Sequence, residues 1–260
     1  MKIREPAVAG MFYPADPVEL RWMIEGLLAQ VTPQPVEPHA LIVPHAGYIY
    51  SGPVAATAYA HVAPRAGTIH RVVLLGPSHH VRFQGLAAST ADAYRTPLGL
   101  VPLDRSLLDL TPPLPHVQPL DVAHLREHSL EVQLPFLQVV LGNFTLIPLV
   151  VGEAPPEETA AVLERLWGGP ETLVVISSDL SHYHDAATAR RIDAETCRII
   201  EARRPDLLTG ERACGCRAIN GLLAVANRRQ LPVTTVDLRN SGDTAGGRDR
   251  VVGYGAWLVG

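Results

Sequence analysis

Five short apolar runs constrain this chain most: "ALIVPHAGY" (40–48), "RVVLLGPSHH" (71–80), "FTLIPLVVG" (144–152), "LVVISSDLSH" (173–182) and "VVGYGAWLVG" (251–260). They favour β-branched residues and do not alternate with polar ones, the pattern of strands buried on both faces. Stretches of helical spacing lie between them. "DPVELRWMIEGLLAQV" (16–31) opens with Asp16 as a cap, Pro17 at the first helical position and Glu19 three residues after the cap. Its Val18, Leu20, Met23, Ile24, Leu27 and Leu28 keep roughly helical spacing, which predicts that they face inward. "PEETAAVLERLW" (156–167), "ATARRIDAETCRIIEA" (187–202) and "AINGLLAVANRR" (218–229) read the same way. The alternation predicts an α/β fold, one domain over residues 1–260 with a mainly parallel mixed sheet flanked by helices. Two stretches depart from it. "FQGLAASTADAYRTPLGLVPLD" (83–104) reads as a hairpin turning at Pro97-Leu98-Gly99, and "LTPPLPHVQPL" (110–120) as a proline-rich surface loop.

Composition removes several functions. The net charge is −4 and no basic stripe carries interleaved aromatics, so no nucleic-acid partner is expected. No run approaches the roughly 18 apolar residues of a membrane span. The opening "MKIREPAVAGMFYP" meets Pro and Gly too early for a signal-peptide core, so a cytoplasmic protein is expected. Three cysteines, an odd number in a chain of 260 residues, argue against a disulfide framework. Lys2 is the only lysine, which leaves none for a phosphate-binding loop or an interior Schiff base. No G-x-G-x-x-G follows a strand-like run, which argues against a dinucleotide site.

In open α/β sheets ligands bind beyond the carboxyl ends of the strands. The residues there are His45 in "PHAGY", Ser78, His79 and His80 in "GPSHH", and Ser177, Ser178, Asp179 and His182 in "SSDLSH". Histidines on neighbouring strands would make a pair of metal ligands for Fe, Cu, Zn or Ni. The third ligand is either a carboxylate or Cys214 in "ERACGCRAI", where a nearby helix N-terminus would lower the thiol pKa and suit it to metal binding or nucleophilic attack. "HLREH" (124–128) matches the inverted zinc-protease pattern, with His124 and His128 on one helical face beside Glu127. The plainer reading of that region is an amphipathic helix, "EHSLEVQLPFL", with Leu130, Leu134 and Leu137 inward.

Taken in order, "REPAVAGMFYP", "PHAGY" with "YSG", "GPSHH", "YRTPLG", "EHSLEVQLPFL", "SSDLSH", "ACG" and "VVGYGAWLV" resemble the Memo family, also called AmmeMemoRadiSam system protein B, over almost the whole chain. The resemblance implies a fold like that of class III extradiol, LigB-type dioxygenases. It implies one metal ion, Fe(II) or Cu foremost and Zn as a further candidate, held by His45, His79 and Cys214. Asp179 and His182 would sit where those dioxygenases keep an acid–base histidine, and His128 would face the same pocket. Cys216 has no counterpart and is read as structural, and His80 is given no metal role. The implied function is a non-haem metal-dependent redox enzyme acting on a small molecule, an aromatic one among the candidates. The alternative is a non-catalytic metal-binding or peptide-binding interaction protein. AMMECR1-like and radical SAM proteins are the partners implied by the family name.

Overall fold

A computed structural model describes residues 1–107 and 113–260. Its strands are β1 (Ile3–Arg4), β2 (Ala40–Val43), β3 (Arg71–Pro77), β4 (Leu86–Ala88), β5 (Ala93–Thr96), β6 (Gly99–Pro102), β7 (Val117–Pro119), β8 (Thr145–Val151), β9 (Thr172–Ser177), β10 (His182–His184), β11 (Val233–Asn240) and β12 (Val251–Val259). Its helices are α1 (Pro17–Leu28), α2 (Tyr48–Tyr59), α3 (Asp121–Leu125), α4 (His128–Glu131), α5 (Leu134–Leu141), α6 (Pro156–Leu166), α7 (Ala186–Glu201), α8 (Cys216–Arg229) and α9 (Ser241–Thr244).

The five apolar runs become β2, β3, β8, β9 and β12 of one nine-stranded mixed sheet, ordered β10-β12-β2-β9-β3-β8-β4-β7 with β11 also paired to β12. The parallel part is its centre, β2-β9-β3-β8. β12 and β4 flank that centre antiparallel. Alternate side chains enter two cores, as burial on both faces requires. Leu41, Val43, Val72 and Leu74 join the core shared with α1, α2 and α5, while Ala40, Ile42, Val73 and Leu75 join the one shared with α6 and α8. A three-stranded sheet, β1-β5-β6, stands apart. It contains the expected hairpin, with Thr96 opposite Gly99 and Gly99 at φ +121. Leu86–Ala88, in the same predicted stretch, joins the large sheet instead.

Several expectations need correction. The Asp16 cap is present, its carboxylate accepting from the Val18 and Glu19 N–H groups. However, Val18 is 75% exposed, because the first turn of α1 overhangs the core that buries Leu20 and Ile24. The region 127–137 is two helices, α4 and α5, although Leu130, Leu134 and Leu137 are inward as expected. In the proline-rich stretch, residues 110–112 lie outside the described residues, and Val117–Pro119 pairs with β4 rather than looping. Helix α2 and strand β11 have no counterpart in the sequence reading.

The N-terminal segment is tied to the α3–α4 turn by a buried charge network. The Arg4 guanidinium pairs with the Glu131 carboxylate, and both side chains are almost wholly buried. It also donates to the carbonyls of His124 (3.1 Å) and Glu127 (2.6 Å). Glu131 accepts in addition from the N–H groups of Ala7 and Val8 and from the Tyr13 hydroxyl. A buried carboxylate in hydrocarbon costs several kcal/mol unless its lone pairs are filled, and here they are. Removing it strands Arg4. Glu131→Ala is expected to lower unfolding stability by about 3–5 kcal/mol, whereas Val18→Ala should change it by less than about 0.5 kcal/mol. Urea denaturation of both variants checks the contrast.

Candidate metal centre

His45 follows β2 by two residues and His79 follows β3 by two, so both leave the carboxyl end of the parallel centre. Their strands are not neighbours, contrary to the sequence expectation. β9 lies between them, and Ser177 and Asp179 at its end contact His45. Two glycines admit the remaining pieces. A Cβ on Gly76 of β3 would meet Ser129 Oγ at 2.7 Å, so only glycine lets α4 close onto the strand end. A Cβ on Gly215 would meet the Ser177 carbonyl at 2.7 Å, so only glycine lets Cys214 approach from the α8 side.

One ring nitrogen from each of His45, His79 and His128 lies within 4.8 Å of the others, a group that could hold a metal ion. The His79 and His128 rings stack, with centroids 4.6 Å apart. The His45 ring stands edge-on to both, at 5.3 and 5.5 Å. Phe12, from the N-terminal segment, packs on the His128 ring at 4.9 Å.

Hydrogen bonds assign the protons. Ser177 Oγ donates its one hydrogen to the Ser129 carbonyl (2.6 Å) and accepts from Gln133 Nε2. It must therefore accept from His45 Nδ1–H at 2.8 Å. That leaves His45 Nε2 as an unprotonated acceptor turned toward Cys214 Sγ, and burial above all keeps this ring neutral, its pKa well below the usual histidine value. His79 Nδ1–H donates to Glu127 Oε1 at 2.8 Å, which likewise frees its Nε2. Glu127 is the N-cap of α4 and also accepts from the backbone N–H groups of His79 and Ser129. Burial pushes the Glu127 carboxyl up, but these bonds and the charge of His79 outweigh it and hold the group well below the usual carboxylate range. For His79 burial acts downward, and the Glu127 bond and charge reverse the sign to a net increase. Histidine ligands are commonly oriented by a carboxylate in this way. For His128 burial dominates, the His79 charge adds to it, and the pKa falls to about 4.

Cys214 Sγ lies 3.3 Å from His45 Nε2 and accepts from the Asp179 N–H at 3.3 Å. The expected lowering of its pKa does not occur. Burial, and then the Asp179 charge, push the thiol up to about 12, which leaves it protonated and non-nucleophilic without a cation beside it. Asp179 makes no hydrogen bond to the His182 ring among the described residues. Its Oδ1 accepts from the His45 N–H at 2.8 Å, and burial raises its pKa. His182 Nδ1–H instead donates to the Leu180 carbonyl (2.8 Å), leaving its own Nε2 free. His80 is exposed within the bend that also holds His79, its ring 6.4 Å from that of His128. Cys216 packs against the core on the α8 side of the sheet.

The "HLREH" stretch is not a single helix face. α3 ends at Leu125, and the turn before α4 separates His124 from His128. His124 is a buried structural residue that donates from Nε2 to the Ala87 carbonyl and bonds the Tyr94 hydroxyl through Nδ1. The same five residues do supply His128 to the cluster and Glu127 to His79. The resemblance already placed His128 at this pocket; the role of Glu127 lay in the H-x-x-E-H pattern, where the assumption of a continuous helix hid it.

A profile of Memo-like proteins matches residues 4–258 of the chain. Among curated relatives, a MEMO1 family protein of Aquifex aeolicus is 37% identical and one of Sulfolobus acidocaldarius is 36% identical, covering 98% and 97% of each chain respectively. A third, from Thermotoga neapolitana, is 35% identical over 97% of this chain and 98% of its own. Among solved structures, an uncharacterized protein of Escherichia coli K12 superposes with a TM-score of 0.45 at 13% identity, covering 83% of this chain and 98% of that one.

The structural histidine of this region sets a pH dependence. Burial lowers the His124 pKa to about 4, against roughly 6.5 in an unfolded chain. Between those values the unfolded state binds the proton first, so this contribution is intact above about pH 6.5 and is lost as the pH falls. Wild type in a chelating buffer should lose about 1–2 kcal/mol more than His124→Gln between pH 7 and pH 5. Urea midpoints at the two pH values measure the difference.

Proposed function

The chain belongs to the family of Memo-like proteins, and from that premise we propose that it is a metal-dependent redox enzyme acting on a small organic molecule, with His45, His79 and Cys214 holding one ion. The observation that carries this reading is the unprotonated Nε2 of His45 facing Cys214 Sγ at 3.3 Å, close to the spacing of two ligands on one tetrahedral ion. The donor set fits a transition metal, because two neutral imidazoles and a thiolate suit iron, copper or zinc. When bound, iron or copper at this position supplies redox chemistry toward molecules that reach its open coordination positions.

The protein's own residues prepare that position. Ser177 and Glu127 fix the two imidazoles with their Nδ1 protons pointing away from the centre. The Asp179 N–H supports negative charge on Cys214 Sγ, as a hydrogen bond to the charged form does in general. Asp179 itself holds the His45 backbone in place. His182, with Nδ1 tethered to Leu180 and Nε2 unbonded, is the proton acceptor and donor of the site. His128 offers a second neutral imidazole on the Phe12 side.

One observation favours a second ligand set. The cluster within 4.8 Å is His45, His79 and His128, without Cys214. Single variants separate the two. In our reading, His79→Ala and Cys214→Ser lower metal affinity by more than about tenfold, beyond the cost of losing an outer partner. His80→Ala retains the metal, and His128→Ala retains it while altering turnover. A three-histidine centre gives the opposite order for Cys214→Ser and His128→Ala. Metal content after competition with a chelator distinguishes them. Azide or nitric oxide should perturb the spectrum of the iron-loaded protein, and an unresponsive, saturated centre would point to metal handling without turnover.

A further inference from the structure

Between the loop that follows β3 and the first turn of α8 lies a cleft of about 320 Å³, at the small end of the roughly 300–1,000 Å³ typical of small-molecule sites. Cys214 forms part of its wall. Cys214 Sγ is also 3.3 Å from His45 Nε2, so this wall residue borders the histidine cluster on its other side. Phe83 and Val151 give it an apolar side. Arg82 and Arg217 stand on the same lining, opposed by the single carboxylate of Glu153. Arg82 has no side-chain hydrogen bond or ion pair among the described residues. The Arg217–Glu153 pair is loose, at 3.7 Å with both side chains about half exposed, a contact worth little in water. The cleft therefore carries an excess positive charge and two planar donor forks not committed to strong partners. The first turn of α8, which has no side-chain cap, opens into the same space and adds to the positive field.

We propose that this cleft is the substrate pocket and that it takes a small organic anion: a carboxylate held by Arg217 and Arg82, on an apolar or aromatic body that lies against Phe83 and Val151. The identification of the bound molecule as substrate rests on the reading of the centre as reactive, but the binding step does not need the metal. Guanidinium groups recognise a carboxylate through paired N–H donors, and a neutral isostere forfeits the charge-assisted part of that energy. Glu153 competes for Arg217, so its removal frees a fork for the ligand.

Isothermal titration of the full chain with benzoate, benzamide and inorganic phosphate, each with and without iron(II) under anaerobic conditions, tests the assignment. Benzoate should bind at least about tenfold more tightly than benzamide and than phosphate. Arg217→Gln should weaken benzoate about fivefold or more without changing benzamide, and Glu153→Gln should tighten it about twofold or more. Both positions are half exposed, so the folded state is retained. Equal binding of benzoate and benzamide, phosphate bound as well as benzoate, or benzoate binding indifferent to both substitutions overturns the proposal. Benzoate binding that follows this pattern in a protein retaining no metal upholds the anion pocket and defeats the metal centre. Tight metal retention without benzoate binding does the reverse.

Discussion

Arg4 holds the turn between α3 and α4 in place, and the geometry of the centre descends from that contact. The guanidinium satisfies the Glu131 carboxylate and two main-chain carbonyls, those of His124 and Glu127. A buried ion pair is tolerated only when its remaining donors and acceptors are filled, so the network admits one arrangement of the turn. Glu127 is then positioned to accept from both the backbone and the ring of His79, and His128 is stacked on that ring. The N-terminal segment takes part twice, through the hydrogen bonds of Ala7, Val8 and Tyr13 to Glu131 and through Phe12 against His128. A segment that forms only a two-residue strand is thus part of the support for the centre.

Around this support stands the group that could hold a metal ion. Burial keeps His45 and His128 neutral, with lone pairs available rather than protons. Glu127 stays anionic. Burial keeps the Cys214 thiol protonated; were a cation to take it as a ligand, a proton would be released there and affinity would rise with pH. Among transition metals, selectivity for such a donor set comes from geometry, ligand type and availability more than from raw affinity.

The fold was legible where a run was buried on both faces. β2, β3, β8 and β9 carry unbroken apolar residues because each side chain meets one of two cores. Helix α2 was hidden because it is buried along most of its length and holds Pro53, so it shows no apolar stripe and contains a residue that usually ends a helix. β11 was hidden because most of its residues are only half-buried and polar, Asp237 and Arg239 among them. At the site, His45, His79, Asp179 and His182 were legible as residues at or beside strand ends, and Cys214 as a residue just before a helix. Their mutual orientation was not. It depends on which strand lies between β2 and β3, and on main-chain partners such as the Leu180 carbonyl that no residue pattern announces. Cys214 shows the limit of local reasoning most clearly: nearness to a helix start suggested a lowered pKa, and burial, a property of the whole fold, reversed it.

The central claim is that the thiolate belongs to the coordination sphere. X-ray absorption at the metal edge of the iron- or copper-loaded protein tests it without reference to turnover. The account predicts one sulfur scatterer at about 2.3 Å together with two imidazole nitrogens near 2.0–2.1 Å. A shell of nitrogen and oxygen alone, with three imidazoles and no sulfur, would contradict it.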